Sequence, residues 1–147
     1  MSNISLNEFS RRLAAVMPIM CKSMMQYEQN ALTTGQLSLP EFWTLSLLLE
    51  RGETTMHELA DAMSLKASTA TMLAGRLERI KLIVRKRDKL DRRKVLVKAT
   101  TRAVNLVAEV HNQKRKALEK TFRHLDPHER ELYLELLEKL AGRLQTK

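Results

Sequence analysis

Apolar residues recur along this chain in two rhythms. Near the start, Ile4, Leu6, Phe9, Leu13, Val16, Met17, Met20 and Met24 return every three or four positions, the spacing of one helix face. Leu132, Tyr133, Leu136, Leu137, Leu140 and Leu144 do the same near the end. In the middle the period shortens to two: Val95, Val97 and Ala99 alternate with Lys94, Leu96 and Lys98, as in a half-buried antiparallel strand. Polar punctuation places the helix starts. Ser5-Leu6-Asn7-Glu8, Ser38-Leu39-Pro40-Glu41, Thr55-Met56-His57-Glu58 and Asp126-Pro127-His128-Glu129 each have a capping-box pattern.

These signals predict a first helix running to about Leu32, with Pro18 inside it, a helix over 101–124 and a last one from Asp126 onward. Between them lie a helix over 41–51, a short one over 56–63, a break at Ser64-Leu65 and a third helix over about 67–80. The strips Leu82–Arg87 and Lys94–Ala99 follow as a hairpin. Two helices joined by a short turn and followed by a β-hairpin make a winged helix-turn-helix. The expected fold is therefore mostly α with a small β-hairpin wing, one domain over 1–147. Its winged region is 38–99, flanked by helices over 1–34 and 101–147. Those terminal helices carry more apolar surface than the middle can cover, which points to dimerisation with a second copy. Met17, Met20, Met24 and Met25 read as adaptable core filler.

Composition narrows the partner. The longest apolar run, Leu13 to Cys21, has nine residues, too few for a membrane span. It lacks the flanks of a signal peptide, and one cysteine excludes an internal disulfide, so a cytoplasmic protein is expected. The net charge of +9 is uneven: residues 1–50 carry −1, residues 51–100 carry +7 and residues 101–147 carry +3. A field this localised suits a polyanion. The basic cluster RKRDKLDRRK, residues 85–94, lies between strand-like strips rather than on an amphipathic helix, which favours nucleic acid over a membrane. Aromatic residues are only 4% of the chain, which disfavours the stacking surfaces of RNA readers. A winged module that binds protein instead of DNA is the other alternative.

On the 67–80 helix, Ala70, Leu73, Leu77 and Ile80 mark the buried face. Ser68, Thr69, Thr71, Met72 and Arg76 are left as candidates for major-groove contact, with methyl groups suited to thymine and modest A·T bias. In the wing, Arg85, Lys86, Arg87, Lys89, Arg92, Arg93 and Lys94 are candidates for phosphate, and an arginine at the tip suits a minor groove. Asp88 has no assigned task beyond shaping the turn. His124, Asp126 and His128 resemble a metal cluster, but Asp126 and Pro127 are accounted for as a helix start, so no metal site is assigned. No triad, paired-carboxylate or phosphate-loop pattern suggests an enzyme, and no cofactor is implied.

The stretch ELADAMSLKASTATMLAGRLERIKLIVR, followed by DRR and VKATTRA, resembles the MarR family of bacterial transcriptional regulators. There the motif reads approximately ELA-x-x-L-x-L-x-x-S-T-V-T-x-x-V-x-x-LE-x-x-G-L-V-x-R, then D-x-R and LT-x-x-G. The resemblance implies a homodimeric repressor on double-stranded, pseudo-palindromic DNA, released by a small, often aromatic or phenolic, ligand. It places Arg93 on the groove-reading wing arginine and Asp91 on the carboxylate that orients its guanidinium. Some members respond to cysteine oxidation, which makes Cys21 a possible redox residue, although its apolar neighbours suggest a buried, inert thiol. The chain departs from the pattern at Lys81 and Ala103, which replace glycines, at Ala99, which replaces leucine, and at Gly75 inside the recognition helix.

Overall fold

A computed structural model of the chain describes residues 4–145. Its elements run α1 (Leu6–Met25), α2 (Leu39–Arg51), β1 (Thr54–Thr55), α3 (Met56–Ala62), α4 (Ala67–Arg79), β2 (Ile83–Arg87), β3 (Val95–Ala99), α5 (Thr101–Phe122) and α6 (Pro127–Gln145). The caps explain these starts. At α2 and α3 the box is reciprocal: Ser38 and Thr55 accept from the third helical N–H, and Glu41 and Glu58 accept from the cap N–H in return. Asp126 and Glu129 exchange the same pair of bonds at 2.9 and 2.8 Å. The first box forms only in part. Ser5 accepts from the Glu8 N–H at 3.2 Å, while the Glu8 carboxylate turns to Arg11 at 2.7 Å.

Helix α1 ends at Met25, seven residues before the expected Leu32. The cause is local. Tyr27 and Glu28 donate three residues back, to Met24 and Met25, which tightens the last turn. The Asn30 carboxamide oxygen then accepts from Leu32 N–H at 2.9 Å and Thr33 N–H at 3.3 Å. That offers the backbone an alternative to helix.

The chain divides into two compact units, the described residues up to Glu28 with those from Lys114 onward, and Gln29–Gln113. In the second unit a three-stranded antiparallel sheet has the order β1-β3-β2, with Thr54 opposite Val97 and Arg85 also opposite Val97 on the other side. The hairpin was expected; β1 was not, because two residues carry no detectable period. The core gathers Leu45 and Leu48 of α2, Leu59 of α3, Ala74 and Leu77 of α4, Ile83, Val97, and Val110 of α5. Each fully buried leucine here contributes about 1.5–3 kcal/mol. On α4, Leu73 is only half-buried and Ala74 takes the innermost place.

The other unit has a different character. Neither α1 nor α6 buries any residue. Phe122 packs on Tyr133 with ring centroids 5.1 Å apart, and the Lys120 ammonium lies 4.9 Å from the Tyr27 ring centre. The methionines expected to fill a core do not do so within one chain: Met17 and Met25 are exposed, and Met20 and Met24 are half-buried. Cys21, expected to be buried, is exposed. The physical reason is the same for both. The apolar face of α1 has too little cover within a single chain.

Candidate nucleic-acid interface

Two left-handed residues that are not glycine close the ends of α3 and α4. Ser64 (φ 52°) follows α3, and Lys81 (φ 61°) follows α4. At the first, Leu65 N–H donates to Ala60 C=O at 2.9 Å and Ser64 N–H to Asp61 C=O at 3.0 Å. At the second, Leu82 N–H donates to Leu77 C=O and Lys81 N–H to Glu78 C=O, both at 2.9 Å. Both are Schellman closures, which satisfy the orphan carbonyls of a helix end. The Thr100 hydroxyl adds bonds to the carbonyls of Lys81 (2.9 Å) and Leu82 (3.2 Å), and accepts from Ala103 N–H at the start of α5 (3.3 Å). Thr100 thus ties the end of α4 to α5.

Helix α4 begins without a side-chain cap bond at Lys66. Ser68, Thr71 and Met72 are exposed, Met72 at 67%, and Thr69 is half-buried. The Thr71 hydroxyl donates to Ala67 C=O at 2.8 Å. Arg76, expected as a DNA contact, has another partner. Its Nε lies 2.8 Å from Oε1 of Glu41, a carboxylate only 1% exposed, whose other oxygen accepts from Ser38 N–H at 2.8 Å. Glu41 therefore starts α2 and holds α4 with one side chain. In the sequence it shows only as the third member of a capping box.

The wing cations separate in the same way. Arg85 donates through Nε to Glu78 at 2.8 Å and makes a second bond to the same oxygen, and Lys86 meets Glu53 at 2.7 Å. The Arg85 guanidinium holds the Glu78 carboxyl below the usual carboxylate range. Arg87, Lys89, Arg92, Arg93 and Lys94 are exposed and have no ion pair among the described residues.

Both wing aspartates act on the backbone. Asp91 Oδ1 accepts from the Arg93 N–H at 3.0 Å. The expected bond was to the Arg93 guanidinium; a carboxylate two residues earlier in a tight turn reaches the main chain first. Asp88 Oδ1 accepts from Leu90 N–H at 2.7 Å and Asp91 N–H at 2.9 Å, bonds that lower its pKa. Asp88 is thus the larger organiser of the turn, and an Asx pattern at residues 88–91 was the signal for it. Beside the wing, Glu58 accepts from Thr55 N–H, Thr55 hydroxyl and Thr54 hydroxyl at 2.8, 2.8 and 2.9 Å, and its pKa falls to about 2, the Thr55 backbone bond being the main cause.

Among the described residues no group of His, Cys, Asp and Glu is arranged to hold a metal ion, and no helix is long and apolar enough to cross a membrane. A profile of the MarR family matches residues 37–95. The uncharacterized HTH-type transcriptional regulator YsmB of Bacillus subtilis is 30% identical over 108 residues, covering 74% of each chain. Among solved structures, a MarR family protein from Bacillus stearothermophilus is 25% identical, covers 99% of both chains and has a TM-score of 0.76. A mutant of Staphylococcus aureus MepR bound to an oligodeoxyribonucleotide is 23% identical, covers 92% of this chain and 97% of its own, and has a TM-score of 0.67. A winged helix-turn-helix built on these motifs, and matched by these relatives, makes this chain a member of the MarR family of DNA-binding transcriptional regulators.

Proposed function

We propose that the protein is a homodimeric, sequence-specific regulator of double-stranded DNA in the cytoplasm, a repressor released by a small aromatic or phenolic ligand. In this reading Ser68, Thr69, Thr71 and Met72 of α4 face the major groove, and the wing lies along the backbone with Arg93 in the minor groove. The observation that carries it is the sorting of the wing cations. Arg85 and Lys86 are tied to acidic partners, whereas Arg87, Lys89, Arg92, Arg93 and Lys94 stand exposed around the hydrogen-bonded turn between β2 and β3. That arrangement suits phosphate contact, since none of these five groups is held in an ion pair among the described residues.

The homodimer is supported by α1 and α6. Phe9, Leu13, Val16 and Met17 on one, and Leu136, Leu137, Leu140 and Leu144 on the other, are each more than 40% exposed. Contiguous apolar helix faces of this kind mark association surfaces in proteins that stay in solution. A two-fold dimer would present its winged units to half-sites about one helical turn apart, hence a pseudo-palindromic operator. Ligand release is supported by the family resemblance.

Binding to duplex DNA across a salt series tests the reading. A linear log–log decline with a steep slope is expected. Sedimentation of the free protein should give twice the chain mass. A flat salt response, or a monomer that binds as tightly, would refute it.

A further inference from the structure

The connection between β2 and β3 presents one large apolar side chain, Leu90, and it is 100% exposed. A single exposed leucine needs no explanation. The way this one is held does. Its N–H donates to Asp88 Oδ1 at 2.7 Å, and the next N–H, of Asp91, donates to the same oxygen at 2.9 Å. Asp88 N–H donates to Lys94 C=O, and Lys94 N–H to Asp91 C=O, both at 2.9 Å. The turn is therefore closed on both sides of Leu90, with nothing folded over its side chain. Lys89, Arg92, Arg93 and Lys94 flank it, all exposed.

A braced apolar tip set among exposed cations has the chemistry of a groove-inserting wedge. Cations seat on the phosphates of the two strands, and the aliphatic group enters between base pairs, where it loses water and opens the stack. A lysine or serine at the same place would serve a purely electrostatic wing better.

We propose that Leu90 is such a wedge: it enters the minor groove at the wing tip and partly unstacks one base step. The proposal rests on the minor-groove placement of the wing given above. It makes Leu90 a specificity-determining residue that reads deformability, and it places a flexible pyrimidine–purine step, TA or CA/TG, under each wing.

The test uses the full chain and a duplex recovered by selection from a randomised pool, with 2-aminopurine substituted in turn at each position under the wing. Native protein should raise the fluorescence at one step per half-site. Leu90→Ala should leave it flat and bind roughly tenfold more weakly. Leu90→Lys separates wedge from charge: a wedge predicts weaker binding despite the added cation, and an electrostatic wing predicts tighter binding with a steeper salt dependence. Because Leu90 contacts no core, circular dichroism of both variants should match the native chain. Flat fluorescence with native protein, or tighter binding by Leu90→Lys, overturns the wedge. If Arg93→Ala weakens binding while Leu90→Ala does not, the wedge alone fails. If the native chain binds no duplex, the DNA-binding reading fails with it.

Discussion

Glu41 and Arg76 make the sharpest stability prediction. The carboxylate is 1% exposed and has two partners, the Ser38 N–H and the Arg76 Nε, each at 2.8 Å. Arg76 is 52% exposed, so only one member of the pair is desolvated. Breaking a fully buried pair costs about 3–5 kcal/mol. With one partner half in water and the cap bond remaining, Arg76→Ala should cost about 2–3 kcal/mol, since it leaves a buried carboxylate short of its cation. Glu41→Gln keeps the cap, because a glutamine oxygen can accept from the Ser38 N–H, and leaves no buried charge, so about 1–2 kcal/mol is expected. The double variant Glu41→Gln/Arg76→Ala should cost less than the sum of the two, with a coupling of about 1 kcal/mol or more. Urea unfolding of the four proteins, at matched concentration, measures this. The same proteins decide what Arg76 does on DNA. A phosphate contact would lower the salt slope by about one when removed. An anchor for α4 would leave the slope unchanged while weakening binding to the preferred sequence more than to random duplex. Additive stability losses together with a reduced slope would refute the anchoring role.

Three further outcomes follow from the geometry. Lys81→Gly should stabilise the protein by about 1 kcal/mol in urea unfolding, because Lys81 sits at φ 61° and the αL region disfavours a Cβ; a loss of stability would show that the lysine side chain matters more. Glu58 has a folded pKa of about 2, below its ordinary value, so its stabilisation is present above about pH 4.5 and fades as pH falls toward 2. Glu58→Gln should therefore flatten that part of the acid limb of a pH–stability curve, and an unchanged limb would contradict the assignment. Arg93→Ala should lower duplex affinity, and Asp88→Ala and Asp91→Ala should lower it too although each makes the wing more positive, with Asp88→Ala the more severe because two N–H bonds are lost. Tighter binding by either aspartate variant would mean that charge, not turn geometry, governs the wing.

Much of the architecture was legible because it is written in local chemistry. Ser38, Thr55 and Asp126 announce helices through bonds that span three residues, and the alternation at Val95–Ala99 announces a strand. The end of α1 was less legible. Apolar spacing continues past Met25, and the competing Asn30 side-chain bonds are a conformational choice that periodicity does not register. Lys81 is another case: it departs from the family's glycine, yet the fold keeps a left-handed residue there, at φ 61°.

Charge patterning identified the wing but not the division of labour within it. From the residues alone, Arg76, Arg85 and Lys86 are equivalent to Arg93. Their partners Glu41, Glu78 and Glu53 lie 35, 7 and 33 positions away, and only folding brings them within 4 Å. Asp91 was assigned to a guanidinium and binds an N–H instead, because turn geometry, not charge, determines which donor is nearest. The sequence by itself determined the helix starts, the hairpin, the basic character of the wing and the family. The tertiary structure decided which cations are paired to hold the fold and which stay exposed outside any ion pair. The reason is one of range: capping and period act over a few residues, whereas an ion pair depends on distances that the packing of the core alone sets.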